Sequence, residues 1–375
     1  MHICIVQPFI PHYSIAFFNA LAQLPGITKL TVLADIESQT QLNQAGDTKT
    51  FELKHLTRHV RHGFEMRPGR WAAIRDVNPD ICVLSGNPRD LGSLWVSIGL
   101  RLKGIKTYHW GMFHRIGGPR IFTQFVFWLF GRLAHGCLSY SETGARNLLA
   151  IGCPAQKLTT VGTAIDEQAI LPFADALTAE DCDRFKHSQG LDGKHILLQV
   201  VRLSAIKQPT KLIDVAQVLR SKGRDDFVLI CIGGGDMFDV MRQKVEDHAL
   251  HDVIRILPPI YEEQDLAPWF KSATAFTIPS CIGLSAHHAF AYGVPVVTDR
   301  SLTQQASEAA ILADGLNAIL YDPDDMHDYA CALEYLMDNP QDQRRLGENA
   351  RATVTQNASL AAKTRRFAAG LNLAP

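Results

Sequence analysis

The chain runs to 375 residues, 46% of them hydrophobic and 20% charged, with a net charge of −1. Single hydrophobic cores stop growing near about 250–300 residues, so two globular domains are expected. Without a net positive charge or a run of like charges, a nucleic-acid partner is not expected.

Eight cysteines (Cys4, Cys82, Cys137, Cys153, Cys182, Cys231, Cys281 and Cys331) are scattered without Cys-x-x-Cys spacing, several of them in apolar runs. They read as buried free thiols of a reducing compartment, not as a metal or disulfide framework. Residues 2–7 read as a first buried strand, since neither a basic lead nor a small-residue cleavage site accompanies them. No stretch reaches about 18 uninterrupted apolar residues, so no membrane-spanning helix is expected and the location is read as cytoplasmic.

A turn at 8–12, a helix at 15–23 and a strand at 29–33 complete a βαβ unit. Its first turn, QPFIPHYS, lacks the glycine fingerprint of a dinucleotide fold. Residues 52–64 carry Lys54, Arg58, His59, Arg61 and His62, either a solvated edge or an acceptor-facing basic patch. A helix at 71–77 and a strand at 80–84 lead into SGNPRD, and a helix at 93–103 leads to a strand at 105–108. HWGMFHRIGG follows at that strand's carboxyl end, where open α/β sheets place ligands. His109, Trp110 and His114 are therefore acceptor-side candidates; the alternatives are a domain-interface anchor for Trp110 and satisfied structural roles for the histidines. RIFTQFVFWLFGRLA, 120–134, reads as a buried helix, with a membrane-surface helix as the alternative because Phe and Trp between basic flanks suit that interface. A strand at 135–140, a helix at 142–151 and a strand at 157–161 close the first domain, 1–165.

Residues 166–194 are polar, with Pro172 and Gly190, and read as an interdomain linker with one short helix. The second domain, 195–356, restarts the alternation with a strand at 196–201. Arg202 and Lys207 lie just past it in RLSAIK, as two exposed cations or as an anion site. Helices follow at 211–222 and 237–248 and strands at 227–232, 254–257 and 274–278. The GGGD at 233–236 reads as a tight structural turn, with a phosphate cradle as the alternative. Residues 278–299, IPSCIGLSAHHAFAYGVPVVTD, read as strand, Gly-containing turn, helix and strand. A strand at 309–312, helices at 325–338 and 341–356, and a last helix in 357–375 complete a doubly wound α/β pattern.

Several of these segments resemble glycosyltransferase family 4, the group 1 glycosyl transferases. Pro-Ser, Gly-Leu and Ala-Phe-Ala-x-Gly-x-Pro-Val-Val at 279–297 resemble its donor-site signature. Val201-Arg202-Leu203, three residues, then Lys207-Gln208 resemble its Gly-Arg-Leu-x-x-x-Lys-Gly. Where the family has two glutamates eight apart, this chain has Ser280 and His288; the His is similar to a bacterial polysaccharide-synthesis subset. The resemblance implies a GT-B fold, two Rossmann-like parallel-sheet domains facing across a cleft, the last helix crossing back to the first. It implies an enzyme that moves a sugar from a nucleotide-diphosphate sugar to a glycan or lipid-linked acceptor, with retention and without metal or cofactor, in cell-surface polysaccharide synthesis. Arg202 and Lys207 would meet the diphosphate, and His288 the donor ribose. Gly283, Leu284 and Ser285 would offer backbone N–H groups, and Glu308 a carboxylate near the donor. Peripheral contact with the inner membrane surface stays open. So do an epimerase or hydrolase of the same fold and a non-catalytic nucleotide-binding scaffold.

Overall fold

The computed structural model describes residues 1–36, 49–301 and 303–373; residues 37–48 of the expected first domain and the last two of the expected C-terminal segment lie outside them. The chain divides into two units, Met1–Asp166 with Leu360–Pro375, and Glu167–Ser359.

In the first unit, short runs of Val, Ile, Leu and Cys form strands covered on both faces, as parallel sheets require. In chain order they are β1 (His2–Val6), β2 (Lys29–Ala34), β3 (Glu52–His55), the hairpin pair β4 (His59–Arg61) and β5 (Phe64–Met66), β6 (Ile81–Ser85), β7 (Lys106–Gly111), β8 (Gly136–Ser139) and β9 (Leu158–Thr160). All but the hairpin join a parallel sheet ordered β3-β2-β1-β6-β7-β8-β9. Helices α1 (Ile15–Ala22), α2 (Arg70–Val77), α3 (Gly92–Leu102), α4 (Ile121–Leu133) and α5 (Glu142–Ala150) connect them. Alternation along β1 sends Ile3 and Ile5 to a core shared with Phe17 and Phe18 of α1 and Phe367 of the C-terminal helix Leu360–Gly370. Cys4 and Val6 point the other way, onto Ile74 of α2 and Val96 and Leu100 of α3. Expected as a buried helix, α4 buries one side only: Val126, Phe127 and Phe130 are inside, while Ile121 is 92% exposed.

A buried ion network fastens the hairpin. Arg67 reaches Asp90 and, at 2.8 Å, Glu65; Arg70 reaches Asp90 at 2.6 Å, and Ser93 donates to Asp90 at 2.8 Å. Arg58 pairs with Glu65 at 3.0 Å, and Asn87 donates to the same carboxylate at 2.8 Å.

The residues expected as a linker fold as two helices of the second unit, α6 (Glu167–Ala176) and α7 (Ala179–Ser188). A capping box starts α7, with the Thr178 hydroxyl accepting from the Asp181 N–H and the Asp181 carboxylate accepting from the Thr178 N–H. Beyond them lie β10 (His195–Val200), α8 (Lys211–Ser221), β11 (Phe227–Ile232), α9 (Phe238–Asp247), β12 (Ile254–Leu257), α10 (Glu263–Lys271), β13 (Ala273–Thr277), α11 (Ser285–Ala291), β14 (Val296–Asp299), β15 (Ala318–Tyr321), α12 (Met326–Asp338) and α13 (Pro340–Ala352). The six strands are parallel in the order β12-β11-β10-β13-β14-β15. Of residues 309–312, expected as a strand, the first three belong to a 3-10 turn at Ser307–Ile311 and Leu312 follows it. One sheet face carries a core of Leu212, Leu219, Met241, Tyr329 and Leu333 from α8, α9 and α12. Phe185 of α7 stands edge-on to Trp269 of α10 at 4.8 Å, which docks the helix pair by its apolar side.

Candidate functional site

In the second sheet the chain leaves β10 toward β11 and β12 and then returns to β13 on β10's other side. Such a reversal parts the loops at the carboxyl ends of the two central strands, which is where open α/β sheets take ligands. The loop after β10 carries Arg202 and Lys207, and the loop after β13 carries residues 278–284. Lys207 ends a 3-10 turn, Ala205–Lys207, and its ammonium donates to the carbonyl of Cys281. A Cβ on Gly283 would stand 3.4 Å from that ammonium, which puts the cation in van der Waals reach of this loop. Burial lowers the Lys207 pKa, opposed by Cys281 and by the charge of Glu308. The structure thus brings together Lys207, Gly283 and Glu308, with Leu284 and Ser285 at the entry to α11. Arg202 is exposed and has no ion-pair partner among the described residues.

Gln208 follows Lys207 at φ +50, a left-handed conformation that glycine adopts without cost. Across the loop after β13, Tyr321 donates to the Pro279 carbonyl at 2.7 Å, and the side-chain amide oxygen of Gln305 accepts from the Ile282 N–H at 2.8 Å. The amide of Gln305 in turn donates to Asp299 and Thr298. The loop is therefore held from three directions. Ser280 is fully buried, and its hydroxyl has no hydrogen-bond partner among the described residues.

His288 on α11 lies flat on Phe270, ring centroids 4.5 Å apart at an interplanar angle of 7°, and parallel to Tyr292 at 5.7 Å. Its Nε2 is 2.9 Å from a Glu263 carboxylate oxygen, which also accepts from the Tyr292 hydroxyl. Burial would raise the Glu263 pKa, but the bonds from His288 and Tyr292 outweigh it and hold the carboxyl below its usual range.

In the first unit the corresponding reversal lies between β1 and β6. A cavity of about 280 Å³ opens there, lined by Gln7, Asn87, Trp110, Met112, His114 and Tyr140 among others. Trp110 and His114 thus share a concave surface; His109 does not. Strand β7 runs on to Gly111, beyond the expected end at 108, so His109 and Trp110 point to opposite faces. His109 is fully buried on Phe130 at 4.1 Å, hydrogen-bonded to Ser97 at 2.9 Å, and burial lowers its pKa to about 4. It is a neutral structural residue. Trp110 packs on Phe17, Phe367 and Tyr140, and its indole N–H has no partner among the described residues.

Residues 182–353 match the family model of glycosyl transferases group 1, which spans nearly all of the second unit. This unit is a group 1 glycosyl transferase domain. A relative, the D-inositol 3-phosphate glycosyltransferase of Paenarthrobacter aurescens, is 33% identical over 163 residues, 42% of this chain and 38% of that protein. The chain thus spans about two fifths of the length of the curated relatives it matches. Whole-chain likeness comes from solved structures. Anabaena Alr3699/HepE, solved with UDP, superposes with a TM-score of 0.76 over 99% of both chains at 16% identity. Sucrose-phosphate synthase of Thermosynechococcus elongatus gives 0.72 over 99% of this chain and 98% of its own, also at 16% identity. The fold is GT-B.

Within the glycosyl transferase domain, the glycines after β11 let the cationic loop pack close against them. Cβ atoms on Gly233 and Gly235 would stand 2.0 and 2.1 Å from the carbonyl oxygens of Val201 and Leu203. Side chains there would push the Arg202 loop out of place. Sequence reasoning missed Glu263, Tyr292 and Gln305. A carboxylate opening α10 is ordinary helix chemistry, and only the fold brings it to a residue 25 positions away.

Proposed function

We propose that the protein is a retaining glycosyltransferase, moving a sugar from a nucleoside diphosphate sugar to a glycan or lipid-linked acceptor without a bound metal, in the synthesis of cell-surface polysaccharide. The observation that carries this reading is Lys207: a half-buried ammonium, with no carboxylate ion pair among the described residues, laid on the loop that bears the group 1 signature. A cation without an ion pair among the described residues, at a sheet's reversal point, is a site for an anion. The complexes of the Anabaena protein with UDP and with UDP-glucose support a uridine nucleotide as the first to test.

Transfer breaks the bond between the sugar's C1 and the β-phosphate oxygen, and negative charge gathers on the departing diphosphate. Lys207 and Arg202 stabilise that charge as it develops. On the same face of the sugar, the acceptor hydroxyl forms the new bond to C1 while its proton passes to the leaving phosphate oxygen. His288 holds the ribose, and Glu308, beside Lys207, faces the donor. The acceptor is assigned to the first unit's cavity, with Trp110 and His114.

A thermal-shift screen against UDP-, GDP-, ADP- and TDP-linked sugars tests the reading: one base should raise the melting temperature, and stabilisation by none overturns it. With the stabilising donor, sugar release that needs no acceptor identifies a hydrolase or epimerase. Binding without release under every acceptor identifies a scaffold.

The first unit adds a membrane contact to the proposal. Ile121, Phe122 and Phe125 of α4 are exposed, and Phe122 meets Phe64 of the hairpin at 6.1 Å, with Arg120 and Arg61 nearby in sequence. Aromatic side chains among cations suit an anionic lipid surface. The chain is expected to sediment with vesicles containing phosphatidylglycerol and not with phosphatidylcholine alone. Phe122→Ser with Phe125→Ser should abolish the sedimentation while leaving nucleotide-induced stabilisation intact; equal sedimentation of the variant removes the contact.

A further inference from the structure

We propose that Glu263 is a positioning residue that sets the tautomer of His288, so that an imidazole performs the acceptor role toward the donor's ribose. The inference rests on the reading of the second unit as a nucleoside diphosphate sugar site, and the observations behind it are geometric. An ionised carboxylate only accepts hydrogen bonds, so the 2.9 Å contact fixes the proton on His288 Nε2. In the uncharged ring Nδ1 is then the acceptor atom, and it has no protein partner among the described residues. Free rotation of the ring is removed by the parallel stack on Phe270 and Tyr292. The hydroxyl of Tyr292 donates to the same carboxylate oxygen, which keeps Glu263 turned toward the imidazole.

A neutral imidazole in this tautomer presents one acceptor atom where a glutamate would present a carboxylate oxygen. It can take a hydrogen bond from a ribose hydroxyl, and it cannot donate one. Both helices contribute: α11 supplies the imidazole and the first turn of α10 supplies the carboxylate. Without Glu263 the ring loses the anchor on Nε2 that fixes its proton there, and Nδ1 no longer meets the hydroxyl in one fixed role.

Calorimetry with UDP and with 2′,3′-dideoxyuridine diphosphate tests this on the full chain. The wild type is expected to bind UDP about tenfold more tightly than the dideoxy compound, one oriented hydrogen bond's worth. Glu263→Leu should bring that ratio toward one by weakening UDP alone, because no carboxylate then holds the proton on Nε2 or anchors the ring. Tyr292→Phe, which removes the other bond to the same oxygen but leaves the Nε2–H bond to Glu263, should lower the melting temperature and reduce the ratio less than the Glu263 variant does. A merely structural Glu263 would lower both affinities together and leave the ratio untouched, which overturns the inference. Equal effects of the Glu263 and Tyr292 variants on the ratio also overturn it. If the wild type binds neither compound, nor GDP or ADP, the site reading falls first, and that outcome is distinct from an unchanged ratio.

Discussion

Lys207→Met is expected to weaken UDP binding by roughly ten- to hundredfold, the range for a charge-assisted hydrogen bond of about 1.5–3 kcal/mol. Methionine keeps the alkyl stem, so packing in the half-buried slot beside Gly283 is preserved and the charge alone is lost. Arg202→Ala should cost less, roughly two- to fivefold, because an exposed guanidinium meets its ligand in water. Salt separates the two further. At about 1 M the screening length falls to about 3 Å, which should erase the Arg202 contribution and spare most of that of Lys207. Both variants should lower turnover more than binding, by roughly 100- to 1000-fold for Lys207, since charge on the diphosphate is greatest as it leaves. Calorimetry at two ionic strengths and transfer kinetics check these expectations. Unchanged UDP affinity in Lys207→Met removes the anion site.

The alternation of apolar runs with amphipathic segments was enough to read two doubly wound halves, because strands buried on both faces leave little else to the sequence. What escaped it has local causes. Pro172 and a polar composition made residues 166–194 look like a linker, although Pro172 sits inside α6 and the Thr178–Asp181 box that starts α7 was there to be read. Ending β7 at 108 made His109 a loop residue; three more residues of strand turn it inward onto Phe130. That Arg202, Lys207 and the Gly283 loop sit just past strand ends was legible, because the fold fixes where strand ends go. The His288–Glu263 bond was not legible, since helix–helix pairing across 25 residues follows from packing and not from pattern.

Asp90 tests the other feature the sequence left unread, the buried network under the hairpin. The Arg67 and Arg70 side chains are 0% and 4% exposed, and Asp90, fully buried, receives both. Burial already pulls the Arg67 pKa down, opposed mainly by Asp90, which shows how much that guanidinium depends on its carboxylate. Asp90→Ala strands Arg70 without a carboxylate and leaves Arg67 only Glu65. Removing one partner of a buried ion group costs about 3–5 kcal/mol. The first unit's unfolding transition should therefore fall by roughly 10 °C, while UDP affinity, a property of the second unit, stays at the wild-type value. Adding Arg70→Met to Asp90→Ala should recover stability, because it withdraws the charge left unpaired; a double-mutant cycle should show coupling of about 1–3 kcal/mol. If Asp90→Ala melts within about 2 °C of the wild type, water reaches both guanidiniums, and the hairpin is held by its Phe64–Phe122 contact instead of by charge.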